Sequence, residues 1–593
     1  IGRTFHPEHE QAAPPHGEAD EVVIAYDLWQ RRFGGRTDVL ARTVRIEGRL
    51  ARRIVGVMPR GFDFPGGVQI WGPRTFRHPI APGQRQARYY RGIARLRPGA
   101  SLETARLELA RISTQLAEQY QDSHAGFEMT LDPLDEATTG SVQPALLAIA
   151  GVVGCVLLIA CANVTSLMLA RAAARRRDFA VRSALGATMP RLLRQSFTES
   201  ALLSTGGVAG GLLLAWSGTR LLIAAAPGGV PRLEQANLNG AVLAFTAVLA
   251  VLCTVITAML PAVHVAVDDL GTSLKGAGRS TPARRRRARA VIIAAQVALT
   301  MVLLVAAAVL LRSFIRLRGV DLGFDPARVV AADLRFPTSR FAETKRPWAR
   351  LGHAYDRIIE DLQSLPGIEA VGGVTGLPLT GEDSATVMWL GESPEPPPDA
   401  NAQWTVPVAI VTPDYFRALR IPIVRGRAFD ANDRLSERVL TDDEAPRPRG
   451  VVIINEAFAR RYWPGQDPIG RSIRLSEHWA VSASAVVGVA GDVRQQAVSM
   501  PAGPAVYVPW GETPGFRLAL VVRTTGDIRA LAADLRTRLR SLEPQLFISN
   551  LRPLDAVVAG AIARPRFNLL LVASFALLGL ALAAVGVYGV VAY

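Results

Sequence analysis

The chain has 593 residues, more than one domain holds; 49% of them are hydrophobic, yet 20% are charged, a mixture that fits membrane spans alternating with soluble domains and excludes a uniformly buried protein. Its net charge of +16 is concentrated beside apolar spans, at Arg171 to Arg182 and at Arg284 to Arg289, which argues against nucleic acid as the partner. The cysteines Cys155, Cys161 and Cys253 all fall in apolar spans, so no disulfide is expected in a soluble domain.

Residues 1–143 read as an α+β domain. HPEHEQAAPPHGEAD is a polar, Pro-rich loop, VVIAYDLWQRRFG a strand running into a short helix, and TVRIEG and RRIVGVM two short strands around a turn. RYYRGIARL predicts a further strand. Ser101 caps a helix over 102–119 with Leu102, Ala105, Leu109, Ile112 and Leu116 as its apolar stripe, and FEMTLDPL predicts a closing strand.

Five apolar runs approach the ~20 residues that a bilayer core demands: 145–170, 199–226, 241–267, 290–311 and 567–593. Asn163, Thr165 and Ser166 in the first are polar residues that could line a pathway, and hydrogen bonds between helices are the favoured expectation for them. Pro261 and His264 near the end of the third predict a kink with an interfacial polar residue. The first, third and fourth spans have no Asp, Glu, Lys or Arg at depth, which argues against a carrier coupled through intramembrane charges. The arginine-rich loops 171–198 and 268–289 belong to the cytoplasm, and alternation then places 1–143 and 312–566 outside. Between them, DFAVRSALGAT follows the first arginine cluster as a short amphipathic helix, with Phe179, Val181 and Leu185 apolar and Gly186 as its stop.

Residues 312–566 form a second, larger soluble domain. RVVAADLRF is a strand, about 344–365 a helix, and IEAVGGV a strand; FRLALVVRT, a helix over 528–542 and LFISNLRPL repeat that order, and 424–430 is a turn. The two soluble domains share sequence. VVIAYDLWQRRFGGRTDVLARTVRI from Val22 matches VVIINEAFARRYWPGQDPIGRSIRL from Val451 without a gap. IVGVM at Ile54 matches VVGVA at Val486, LDPLD at Leu131 matches LRPLD at Leu551, and GRTF at Gly2 matches GRAF at Gly426. The expectation is a tandem duplication of one unit: a span, an outer domain, then further spans. In that register roughly 130 residues of the first copy and roughly 100 of the second lie outside this sequence, and the full protein has about eight spans.

That layout resembles the MacB/FtsX-type ABC transporter permeases, and in its duplication the orphan permeases of that family. ARRRDFAVRSALGAT looks like the family's cytoplasmic segment; TPDYFRALRIPIVRGRAFD at Thr412 and VVIINEAFARRYWPGQDPIGRSI look like its outer core domain. The resemblance implies an α-helical membrane protein with two extracytoplasmic α+β domains. Its parts would be the outer domain of copy 1 (1–143), a three-span permease domain (144–267), a cytoplasmic linker (268–289), a span (290–311), the outer domain of copy 2 (312–566) and the start of a second permease domain (567–593). It further implies a bacterial inner-membrane location and a separate cytoplasmic ABC ATPase. That ATPase would be contacted through Asp178, Phe179, Val181, Arg182, Leu185 and Gly186, with a periplasmic adaptor as a further partner. Family permeases work as dimers, whereas two copies in one chain could form that pair internally.

The chain has no G-x-x-x-x-G-K-[ST] loop, no G-x-S-x-G, no H-E-x-x-H and no C-x-x-C, so neither a P-loop ATPase nor an enzyme is expected, and no cofactor. His6, His9 and His16 with Glu8 and Glu10 lack a standard ligand spacing and read as a solvated loop. Two functions follow from the resemblance. One is a permease relaying ATPase-driven motion to outer domains, to export or extract an amphiphile, peptide, lipoprotein or drug. The other is a non-transport scaffold regulating an envelope enzyme.

Overall fold

The structure, a computed structural model, describes residues 1–5, 21–46, 50–73, 92–120, 128–140, 143–174, 189–225, 239–240, 242–248, 250–251, 281–337, 347–381, 384–391, 404–433, 449–475, 483–510 and 517–591. They form two compact units, Ile1–Leu131 with Asp321–Ala561, and Asp132–Val320 with Ile562–Tyr593.

In Ile1–Leu131, strand β1 (Glu21–Ile24) leads into helix α1 (Tyr26–Phe33), and β2 (Thr43–Ile46), β3 (Leu50–Val57) and β4 (Ile70–Trp71) complete a sheet of order β2-β3-β1-β4. β1 and β3 are parallel, and every residue of β1 is buried, which is why Val22, Val23 and Ile24 follow Glu21 as an apolar run without alternation. α1 stops at Gly34, whose positive φ lets its N–H turn back to the Gln30 carbonyl. Trp29 packs on Val22, Ile24, Val39 and Ile54, and its ring N–H donates to the Arg36 carbonyl at 2.8 Å.

Helix α2 (Leu102–Gln119) starts as predicted: the Ser101 hydroxyl accepts from the Thr104 N–H at 3.1 Å. Its expected stripe is incomplete, since Ile112 is exposed and the buried residue is Ser113, whose hydroxyl accepts from the Met129 N–H. Over their described residues the strands expected from RYYRGIARL and FEMTLDPL do not form: 92–97 and 128–133 are irregular. Neither pairs with a strand among the described residues, and an extended segment without a ladder gains nothing over hydration of its backbone.

The chain continues through α3 (Leu134–Thr139), α4 (Gln143–Ala174), α5 (Met189–Ala225) and α6 (Thr281–Arg318). In Asp321–Ala561 come β5 (Val329–Arg335), α7 (Pro347–Gln363), β6 (Ile368–Val374), β7 (Ser384–Leu390), β8 (Trp404–Val411), α8 (Tyr415–Leu419) and β9 (Ile423–Gly426). There follow β10 (Gly450–Asn455), α9 (Glu456–Tyr462), β11 (Ser472–Leu475), β12 (Ser484–Ala490) and β13 (Val506–Pro509). The last elements are β14 (Arg517–Thr524), α10 (Ile528–Leu542), β15 (Phe547–Pro553), α11 (Leu554–Ala561) and α12 (Ala563–Val591).

This second outer domain has two lobes in one sheet. Strands β6-β14-β5-β15 with α7 and α10 make a split βαβ–βαβ lobe, its core built on Leu334, Tyr355, Ile358, Leu520 and Leu539. Between β6 and β14 the chain inserts a second lobe, where β13-β10-β12-β11-β7-β8 closes on itself through a parallel β13–β8 pair. Val406, Val452, Ile454, Phe458 and Val486 fill it.

The order β11-β12-β10-β13 repeats β2-β3-β1-β4, with each pair parallel or antiparallel as in the first sheet. Even the glycine contact recurs. A methyl on Gly56 would sit 2.3 Å from the Arg3 carbonyl oxygen, and one on Gly488 the same 2.3 Å from that of Arg427. The gapless match needs one correction. Val22 pairs with Ile54, but Val486, the counterpart of Ile54, pairs with Val452 and not with Val451. Downstream the gapless register holds, since the Gly34 N–H to Gln30 bond recurs as Trp463 to Ala459. The slip is absorbed in the helix, which has 8 residues in α1 and 7 in α9. It keeps Val452 and Ile454 on the core face that Val22 and Ile24 occupy.

Among the described residues three helical stretches are long and apolar enough to cross a membrane: Gln143–Val164, Ala290–Arg318 and Ala563–Tyr588. The expected span 199–226 lies largely on α5, and 241–267 falls mostly outside the described residues, as do Pro261 and His264.

Candidate functional site

The segment carrying Asp178, Phe179, Val181, Arg182, Leu185 and Gly186 lies outside the described residues, between the end of α4 and the start of α5. The His6, His9 and His16 loop does too, and no cluster of metal-ligating side chains occurs among the described residues. The structure does define two other places where helices and outer domain are held.

The first is a junction of α4, α6 and α12. Val152 and Ile159 of α4, Leu303 of α6, and Val572 and Ala576 of α12 form its buried apolar part. One layer along, Asn163 donates through Nδ2 to the Leu582 carbonyl of α12 at 2.6 Å, and Gln296 of α6 donates through Nε2 to the same oxygen at 3.3 Å. Asn163 therefore bonds between helices as its sequence position predicts; the side chains of Thr165 and Ser166 are not described. Both amides are buried, and each directs its NH2 group to the Leu582 carbonyl and away from lipid. Gly586 makes room for them, because a methyl there would lie 2.0 Å from Asn163 Oδ1 and 2.7 Å from Gln296 Nε2. Sequence reasoning found Asn163 but not Gln296 or Gly586, which look like ordinary span residues until the helices are packed.

The second place is the outer domain's entry segment, from Asp321, and its exit segment, ending at Ala561. At the entry, Arg494 donates from Nε to the Asp321 carbonyl at 3.2 Å and from its backbone N–H to Leu322 at 3.1 Å. Gly323 has φ +78 and presses so close to the Asp492 carbonyl that a methyl would lie 1.8 Å from it. Arg523 is 1% exposed. It donates from Nε to the Ala418 carbonyl at 2.7 Å, from Nη1 to Ala327 at 2.8 Å and to Asp325 Oδ2 at 3.3 Å, and from Nη2 to the Asp325 carbonyl at 2.7 Å. Burial pulls this guanidinium below its usual pKa, with the Asp325 charge opposing the shift. At the exit, Leu554 and Val557 are buried, and Asn550 donates to Asp333 Oδ2 at 2.7 Å, while Arg517 stands 3.1 Å from Oδ1. A cavity of about 290 Å³ opens beside this contact, lined by Asp333, Leu377, Leu379, Asn550, Arg552 and Val557.

Comparison with known proteins now identifies the architecture. The family model described as the MacB-like periplasmic core domain matches residues 1–112 and 290–538, and that of the FtsX-like permease C-terminal matches 150–268. The macrolide export ATP-binding/permease protein MacB 1 of Aeromonas hydrophila subsp. hydrophila is 28% identical over 199 residues, which are 33% of this chain and 30% of that protein. The chain thus spans under a third of the length of this curated relative. The periplasmic region of MacB from Actinobacillus actinomycetemcomitans aligns at 14% identity and a TM-score of 0.26, over 40% of this chain and 92% of that one. The extracellular domain of the noncanonic ABC-type transporter YknZ from Gram-positive bacteria aligns at 12% identity and a TM-score of 0.23, over 37% of this chain and 100% of that one. With core-domain sequence on both sides of an FtsX-like stretch, this chain belongs to the MacB/FtsX-type family of ABC transporter permeases.

Proposed function

We propose that the chain is the permease of an ABC system that passes the motion of an ATPase to its outer domains, built as two copies of one unit with both outer domains on the extracytoplasmic side of a bacterial inner membrane. The observation that supports this reading best is the clamping of the entry segment by Arg523. A segment whose Asp325 and Ala327 carbonyls are tied by one buried guanidinium to the Ala418 carbonyl of α8 is suited to transmit displacement and not absorb it. The exit segment is held as well, by Asn550 and Leu554, so both end segments of this domain are fixed to its own fold. The helices they lead to, α6 and α12, pack on one another through Leu303 and Gly579. Cargo in this reading is an amphiphile, peptide, lipoprotein or drug moved outside the membrane.

ATP hydrolysis would be supplied by a separate cytoplasmic subunit docking on 178–187, where Ala184 to Ala187 permits close approach of another backbone. Leu185→Asp in the full-length protein should then abolish cargo-stimulated hydrolysis by a co-purified ATPase while leaving membrane insertion intact. Normal binding and turnover by that variant would sink the assignment of the segment. An ATPase that binds but never responds to cargo would favour the scaffold reading. Orientation is tested separately: single cysteines at Ser101 and Ser280, in a chain lacking the native three, should label from opposite sides of the membrane.

A further inference from the structure

The junction of α4 with α12 has a symmetry that the sequences alone do not display. The LDPLD and LRPLD match runs on without a gap, since α3 starts at Leu134 after Pro133, and α11 at Leu554 after Pro553. In the same register α4 starts at Gln143 and α12 at Ala563. Val152 then corresponds to Val572, Ile159 to Gly579 and Asn163 to Ala583. All of these side chains are buried, and a methyl on the glycine would stand 3.6 Å from Ile159. Each helix therefore turns the same face to the other. That is the arrangement of a two-fold interface between identical partners, here made by two segments of one chain.

The faces correspond but are not interchangeable. Gly579 receives Leu303 of α6, with Ile159 of α4 in ordinary contact beside it, and the amide of Asn163 fills the space above Gly586 while bonding to Leu582. At the position equivalent to Asn163, α12 has Ala583, which carries no polar group. Two α4 helices pairing with each other would set Ile159 against Ile159 and Asn163 near its own copy, without a glycine to receive the amides. Two α12 helices would meet across unfilled small residues. Packing of this kind, with bulk on one side and space on the other, discriminates between partners by steric exclusion.

We infer that α4 and α12 are specificity-determining partners: Asn163 seated on Gly586 makes each helix pair with the other in preference to its own copy, and the shared chain, by raising their effective concentration, makes that pairing intramolecular. The inference rests on the reading of the chain as two copies of one unit, and names the surface that joins them.

The test uses the full chain in membranes, with its native cysteines replaced, a protease site inserted in the 268–289 linker, and cysteines at Val152 and Val572. A second, differently tagged copy is co-expressed. After oxidation, cleavage and denaturation, the two halves of one chain should remain joined and carry one tag. Gly586→Ala should lower the cross-linked yield by about five- to tenfold, by driving a methyl into the Asn163 amide. Adding Asn163→Ala should recover much of the loss, since the space is vacated. Cross-links between the two tags, no cross-link in the parent, or an equal Gly586→Ala effect with and without Asn163 would each overturn the inference. The readout needs no ATPase. A cross-linking chain without ATPase coupling thus refutes the proposed function and leaves the pairing standing, and the reverse result refutes only the pairing.

Discussion

The β2-β3-β1-β4 sheet and its counterpart β11-β12-β10-β13 reach one topology with differently secured helices. In the second sheet Asn455 holds the start of α9: its Oδ1 accepts from the Phe458 N–H at 3.0 Å and the Ala505 N–H at 2.8 Å, and its Nδ2 donates to Gly503 at 2.8 Å. The first sheet has Ala25 there, with no side-chain cap, and α1 is secured at its other end by Gly34 and the Trp29–Arg36 bond. What both keep is the buried aromatic residue under the sheet and the glycine pressed on the preceding loop. The lesson is that the shared constraint is steric, while polar fastening is free to move from one end of a helix to the other.

The comparison can be broken most forcefully at the aromatic positions. Phe458→Ala should cost about 3–5 kcal/mol, and Trp29→Ala a similar amount in its own sheet. Hydrogen exchange of the full chain should show each loss confined to one sheet; a spread to both would mean that they do not fold independently.

Next come the glycines. Gly56→Ala and Gly488→Ala each force a methyl to within 2.3 Å of a carbonyl oxygen, at an expected cost of about 2–3 kcal/mol each. A mild effect in one sheet and a large one in the other would show that the Gly-Arg loop is held differently in the two. Smaller again, Asn455→Ala should cost about 2 kcal/mol, whereas Ala25→Asn should add about 0.5–1 kcal/mol by supplying the missing cap. Equal, small changes from both would remove the cap as the distinguishing feature.

The weakest contrast is acid response. Burial alone would raise the Asp433 carboxyl, but the Arg427 guanidinium and the Asp430 N–H hold it below the usual carboxylate range. A folded pKa below the unfolded value of about 3.9 gives stability that is present above that pH and lost as pH falls through the folded value. Asp433→Asn should therefore flatten the acid limb of the second sheet's unfolding below about pH 4 and leave the first sheet's unchanged. Parallel acid limbs in variant and parent would remove that pair from the account.

Much of this was legible because local signals agreed with the fold. The strand at Ile368 to Val374, the helix at Ile528 to Leu542 and the Ser101 cap lie where the sequence puts them, since patterning and capping act within a few residues. The one-residue slip was not legible. Val22-Val23-Ile24 and Val451-Val452-Ile453 are both unbroken apolar runs, and a strand buried on both faces has no alternation to say which residue looks inward. Over 92–96 the strand expected from RYYRGIARL is absent for the opposite reason: the pattern is strand-like, but pairing decides whether a strand exists, and pairing is not a local property. At the helix junction Asn163 announced itself as a polar residue in an apolar span, but a glycine such as Gly586 acquires meaning only from what lies opposite.

The split βαβ–βαβ lobe also bears on how the protein is made. β5 is flanked by β14 and β15, which are synthesised after the entire inserted lobe. At ordinary elongation rates that interval is on the order of ten seconds, during which a strand buried along six of its seven residues in the folded domain has neither of its neighbours. The inserted lobe can close its ring of strands before β14 appears. The lobe beside it cannot, so its residues from Val329 to Val374 await their partners as an aggregation-prone nascent segment, and the slow step of maturation is the return of the chain to β5.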